Sequence, residues 1–187
     1  MKLEPSSVML LIVDMQNDFC KPGGSLYSEQ SQSIIPSIER LLSKARESGV
    51  VVAFSQDWHE PDDTHFDYWP PHCIQGTWGA EIVEELFPLE NELVFKKGGY
   101  SVFLDTDIEH HLREGGIRTL IVCGTLVNIC VLHTVADALQ RYYNVIVPKE
   151  CVAALNDYEM EYALYHIGKV LKGTVCSMDE LANYFEK

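Results

Sequence analysis

The chain has 187 residues, 47% hydrophobic and 22% charged, proportions of a globular domain rather than of a disordered segment. Lys and Arg total 14 against 28 Asp and Glu, a net charge of −14, which excludes non-specific binding to nucleic acid or an anionic membrane. No apolar run approaches the ~18 residues of a membrane span, and the opening MKLEPSS lacks the pattern of a secretory signal.

One domain over 1–187 is therefore expected, in the cytoplasm, with its six cysteines (Cys20, Cys73, Cys123, Cys130, Cys151 and Cys176) as reduced thiols. Residues 8–13 form a short, fully apolar run that suits a strand buried on both faces. Apolar residues at 34, 35, 38, 41, 42 and 45 mark a helix that Gly49 stops. Strands follow at 50–54 and, more weakly, at 92–95. Thr106 can cap a helix running to about Arg113. A strand at 119–123, a helix at 128–142 and a strand at 144–147 come next. A helix at 157–170, a short strand at 174–176 and a helix at 178–185 complete the pattern. Strands and helices alternate without repeats or linkers. The expected fold is a three-layer α/β domain, Rossmann-like, with a six-stranded parallel sheet and helices on both faces.

Such sheets bind ligands beyond the carboxyl ends of their strands. Asp14 follows the first strand; Asp57 and His59 follow the second; Lys96 and Lys97 follow the third. The segment 124–130, ending in Cys130, follows the fourth. An acid, a metal-type pair, a cation and a thiol are thus delivered to one rim. Asp57 and His59 are two apart and leave the same face of an extended segment. His65 and His72 lie close by, the latter in the stiff stretch Trp69-Pro70-Pro71-His72. Imidazole and carboxylate suit Zn²⁺, Mn²⁺ or Fe²⁺, with zinc placed first. A helix N-terminus at Cys130 lowers a thiol pKa and offers N–H groups to an oxyanion. Taken alone, this cysteine reads better as a buried, inert thiol, the commoner fate of cysteines.

Five segments in order carry a resemblance over nearly the whole chain: 14–19 (DMQNDF), 57–59 (DWH), 69–73 (WPPHC), 97–101 (KGGYS) and 124–131 (GTLVNICV). They are similar to those of the isochorismatase-like cysteine hydrolases, and within them to the nicotinamidases (pyrazinamidases). The resemblance implies a catalytic triad of Asp14, Lys97 and Cys130, with Lys97 preferred over Lys96 because it lies four residues before Ser101. It implies a cis peptide at Thr125-Leu126 and an oxyanion hole from the backbone N–H groups of Leu126 and Cys130. Phe19 and Trp69 would sandwich the substrate ring. Asp57, His59 and His72 would hold one divalent ion, with His65 as a candidate fourth ligand. The implied reaction is hydrolysis of nicotinamide to nicotinate and ammonia in NAD salvage, with a small molecule as partner. Members of the group are often homo-oligomers. Val127 departs from the threonine that many relatives carry. Two alternatives stay open: a hydrolase of another small amide or ureido acid, and a non-enzymatic metal-binding module.

Overall fold

Val8–Val13 (β1) is buried at every position, as a strand must be when helices cover both faces of its sheet. In the computed structural model, which describes residues 3–182 and 184, β1 is joined by β2 (Val51–Asp57), β3 (Leu93–Lys97), β4 (Thr119–Thr125), β5 (Asn144–Pro148), β6 (Val152–Ala153) and β7 (Thr174–Cys176). The order is β3-β2-β1-β4-β5-β7, with β6 paired to the end of β4. Every ladder is parallel.

The helices are α1 (Asn17–Cys20), α2 (Glu29–Ser33), α3 (Ile35–Ser48), α4 (Ile108–Glu114), α5 (Leu132–Gln140), α6 (Asp157–Tyr165) and α7 (Met178–Ala182). Alternation along β1 sends Leu10 and Ile12 into one core with Ile38, Leu41 and Leu42 of α3 and Leu181 of α7. Met9, Leu11 and Val13 enter the other with Leu112 of α4, Val135 and Ala138 of α5, and Ala163 of α6. The result is the expected three layers. Gly49 ends α3 in the left-handed conformation (φ 72°) and its N–H donates to the Ala45 and Arg46 carbonyls.

The boundaries differ where the site begins. β2 runs on to Asp57, β3 to Lys97 and β4 to Thr125, so these residues are the last of their strands rather than the first beyond them. Their polarity hid their strand character. The two-residue β6 is additional to the six strands expected. The helix expected at 128–142 is a π-helical turn, Val127–Val131, leading into α5, and the one at 157–170 is α6 followed by a π-helical turn, His166–Val170. The cap position of α4 is Asp107, with no side-chain cap bond, while Thr106, one residue earlier, accepts a 3.4 Å hydrogen bond from the Ile108 N–H that opens the helix. Residues 183 and 185 of the expected last helix lie outside the described residues. The short helices α1 and α2 had no periodic signal to betray them. All six cysteines are free thiols.

Candidate active site and metal centre

Three strand ends converge on one ammonium. Lys97 Nζ lies 2.7 Å from Asp14 Oδ2, 3.3 Å from Asp57 Oδ1 and 3.8 Å from Cys130 Sγ. The pleat explains why Lys97 and not Lys96 reaches inward: Phe95 and Lys97 are buried while Val94 and Lys96 are exposed. Lys96 instead places its Nζ 3.7 Å from the centroid of the Trp58 ring. Asp14 sits directly after β1 at φ 52°, a conformation that Asp tolerates better than most residues. Its Oδ1 accepts a 2.7 Å hydrogen bond from Ser55 Oγ on β2.

Electrostatics set the resting protonation. Burial pushes the Asp14 carboxyl above its ordinary range, against the pull of Lys97. Burial also pushes up the Asp57 carboxyl, but Lys97, His59 and His72 together hold it well below the ordinary value. Burial favours a neutral Lys97, yet Asp14, Cys130 and Asp57 raise its pKa and keep it charged. For Cys130, burial raises the thiol well above its ordinary value, outweighing Lys97. This reverses the lowered thiol pKa expected from a helix N-terminus. The sulfur rests as a thiol beside a carboxylate of raised basicity, an arrangement in which the carboxylate could accept the thiol proton.

Cys130 lies in the π-helical turn. The first i→i+5 donor there is Val131 N–H, bonding the Leu126 carbonyl at 3.2 Å. The Ile129 N–H donates to the same carbonyl at 3.1 Å. The Thr125–Leu126 peptide is cis. Gly124 has φ 118°, and a Cβ there would stand 2.0 Å from the Val13 carbonyl oxygen, so only glycine lets β4 pass β1 at this height. Val127 is fully buried in the core.

The imidazoles of His59, His65 and His72 offer nitrogens within 4.8 Å of one another. Asp57 Oδ2 lies 3.2 Å from His59 Nε2 and 3.1 Å from His72 Nε2. The outer nitrogens of two rings are engaged: His72 Nδ1 with the Pro70 carbonyl at 2.7 Å and His59 Nδ1 with Asp63 at 2.8 Å. Both partners are acceptors and can hold a proton on each Nδ1, the tautomer in which each Nε2 is free to ligate a cation. His59 Nε2 is buried and has no hydrogen-bond partner. Lone pairs and a carboxylate oxygen converging on one point fit a divalent cation, and the donor set suits zinc and its neighbours.

A cavity of about 300 Å³ is lined by Asp57, His65, His72 and Cys130 together with Phe19, Trp69, Tyr100, Leu126 and Ile129. Trp69 Nε1–H donates to Tyr100 Oη at 3.0 Å, and Phe19 packs against His72 with ring centroids 5.6 Å apart. A chain of hydroxyls ends on the same cavity. Ser28 Oγ donates to Ser31 Oγ at 2.8 Å, and Ser31 Oγ lies 2.7 Å from Thr125 Oγ1.

Sequence reasoning missed the residues that aim these groups. Gln16 accepts from the Asp57 N–H and donates to the Asp57 and Ala80 carbonyls. Asp18 accepts from the Cys73 and Ser25 N–H groups, holding the His72 segment to the loop after α1. Both stand in the 14–19 segment, where adjacency to Asp14 was the available signal.

An isochorismatase domain matches residues 8–180. The chain is 34% identical over 167 residues to the nicotinamidase of Escherichia coli, covering 73% of this chain and 78% of the relative. Among solved structures, N-carbamoylsarcosine amidase of Thermoplasma acidophilum superposes with a TM-score of 0.85 at 34% identity, covering 96% of this chain and 98% of the other. A pyrazinamidase of Pyrococcus horikoshii in complex with zinc gives a TM-score of 0.86 at 30% identity, covering 92% and 99%. Fold, strand-end constellation and similarity agree: the chain belongs to the isochorismatase family and is a cysteine hydrolase of that family.

Proposed function

We propose that the protein is a nicotinamidase, converting nicotinamide and water to nicotinate and ammonia, in NAD salvage. The observation that carries this reading is the shared cavity: Asp57, His65 and His72 line the same space as Cys130. An amide with a ring nitrogen can meet both at once. A divalent ion held by Asp57, His59, His65 and His72 would supply a Lewis-acid position that a pyridine nitrogen can fill.

In this reading Asp14 takes the proton of Cys130 as sulfur attacks the carboxamide carbon. The developing oxyanion accepts hydrogen bonds from the N–H groups of Leu126 and Cys130. The C–N bond then breaks, Asp14 returns the proton to the departing amine, and ammonia leaves an acyl thioester. Water attacks the thioester carbon and gives its proton to Asp14. The C–S bond breaks, the sulfur recovers that proton, and nicotinic acid departs, losing its carboxyl proton to solvent to become nicotinate. Lys97 stays charged and balances Asp14 throughout. Phe19 and Trp69 hold the faces of the ring.

The similarity to N-carbamoylsarcosine amidase favours a second reading, a ureido acid or another small amide cleaved by the same thiol. Ammonia release from a panel of nicotinamide, pyrazinamide, benzamide and N-carbamoyl amino acids separates the two. The first requires the pyridine and pyrazine amides to lead by more than tenfold in kcat/KM.

A further inference from the structure

Asp63 stands outside every motif yet touches two of the three imidazole residues. Its Oδ2 lies 2.8 Å from His59 Nδ1, and its Oδ1 accepts a 2.8 Å hydrogen bond from the His65 backbone N–H. The second contact makes Asp63 the cap of the one-turn 3₁₀ segment Thr64–Asp67. That turn carries His65 back over His59, where the two rings stack with centroids 4.6 Å apart and planes 16° from parallel.

The three imidazoles are not held alike. The ring of His72 is fixed by the Pro70 carbonyl, a backbone group that no substitution of the Pro70 side chain removes. The ring of His59 is fully buried and fixed at Nδ1 by Asp63. For His65, the contact is made to its backbone rather than its ring. One carboxylate thus sets the tautomer of one imidazole through its ring and the position of another through its main chain. We propose that Asp63 is a positioning residue of the metal centre: it presents His59 Nε2 and His65 to the cation together and need not touch the cation itself. This rests on the metal site of the proposed function.

A purely structural Asp63 would cap the 3₁₀ turn and no more. Serine is a good cap but too short to reach the His59 ring. Asp63→Ser therefore keeps one contact and removes the other, and Asp63→Glu restores a carboxylate one methylene further out. Zinc affinity is measured by competition with a chromophoric chelator, beside the thermal midpoint of the metal-free protein. Outer partners of ligating histidines are worth about 10- to 100-fold in metal affinity. Asp63→Ser is expected to lose affinity in that range with its midpoint within about 2–3 °C of the parent, and Asp63→Glu to recover part of the loss. Unchanged zinc affinity in Asp63→Ser overturns the proposal while leaving the metal site standing. Absence of zinc binding in the parent protein overturns the metal site as well.

Discussion

Asp14 and Lys97 form an ion pair of 2.7 Å in which neither side chain reaches solvent. Two charges taken fully out of water are tolerated because each has further partners: Ser55 for Asp14, Asp57 and Cys130 for Lys97. Breaking such a pair costs more than the pair itself contributes, since the survivor is left buried and uncompensated. Lys97→Met leaves two carboxylates without their cation. It should lower the unfolding free energy of the metal-free protein by about 3–5 kcal/mol, read from urea titration, and abolish turnover in the same preparation.

The raised thiol pKa of Cys130 makes its reactivity depend on Asp14. Iodoacetamide near neutral pH should still label Cys130 ahead of the other cysteines, because Cys130 lines the cavity, and Asp14→Asn should slow that labelling. Peptide mass spectrometry over a time course checks both. Cys130→Ala should abolish turnover and bind zinc as the parent does; substantial residual activity would remove the thiol from the mechanism.

Benzamide matches nicotinamide in shape and lacks only the ring nitrogen. With the metal in place it should be turned over at least tenfold more slowly in kcat/KM. Removal of the metal by a chelator should narrow the gap by lowering the nicotinamide rate more. His59→Ala should lose metal and most activity together. Equal turnover of both amides by the metal-loaded protein moves the assignment to the ureido-acid reading.

The hydroxyl chain from Ser28 reaches the cavity at Thr125. Ser28 Oγ accepts from the Ser31 N–H and donates to Ser31 Oγ; when Ser31 in turn donates across the 2.7 Å contact to Thr125, the Thr125 proton is left for a ligand in the cavity. Thr125→Val, equal in shape, should raise KM several-fold with kcat nearly unchanged, and Thr125→Ser should restore it. Steady-state kinetics on the best amide of the panel provide the check.

Far from the site, Arg46 on α3 grips Glu92 with two 2.8 Å hydrogen bonds, and Glu92 also accepts from the Leu89 N–H. Burial raises the Glu92 carboxyl, but these donors outweigh it and hold its pKa below the ordinary glutamate value. A carboxyl depressed in the folded state stabilises above its unfolded pKa and loses that contribution as pH falls through the folded one. Stability should fall by about 1 kcal/mol below about pH 4.3 on this account. Glu92→Gln should already lack this contribution at pH 7 and show a correspondingly shallower decline in urea unfolding followed from pH 7 to 3.

Much of this was legible in residue order alone. Apolar runs such as 8–13 and 119–123 fix a parallel sheet, and strand ends are where ligands bind, so Asp14, Asp57, Lys97 and Cys130 stand out as a set. Lys97 is separable from Lys96 only by resemblance or by the pleat, which the polar end of β3 conceals. Gln16 and Asp18 had only their adjacency to Asp14 as a signal and Asp63 had none, because their partners are backbone groups and rings brought near by the fold. The raised Cys130 pKa was missed for a related reason: helix geometry is readable in sequence, and depth of burial is not.

The ladders pair Val13 with both Ser55 and Gly124, and Asp57 with Lys97. The acid, the cation and the turn carrying the thiol therefore share one level across four neighbouring strands, with no loop to absorb an error. A slip of one residue in any ladder would carry its side chain about 3.3 Å along the strand and turn it to the opposite face. Core packing beneath the site thus acts as its ruler: substitutions at buried valines and leucines that never meet substrate are expected to appear in genetic screens as loss of catalysis before they appear as loss of folding.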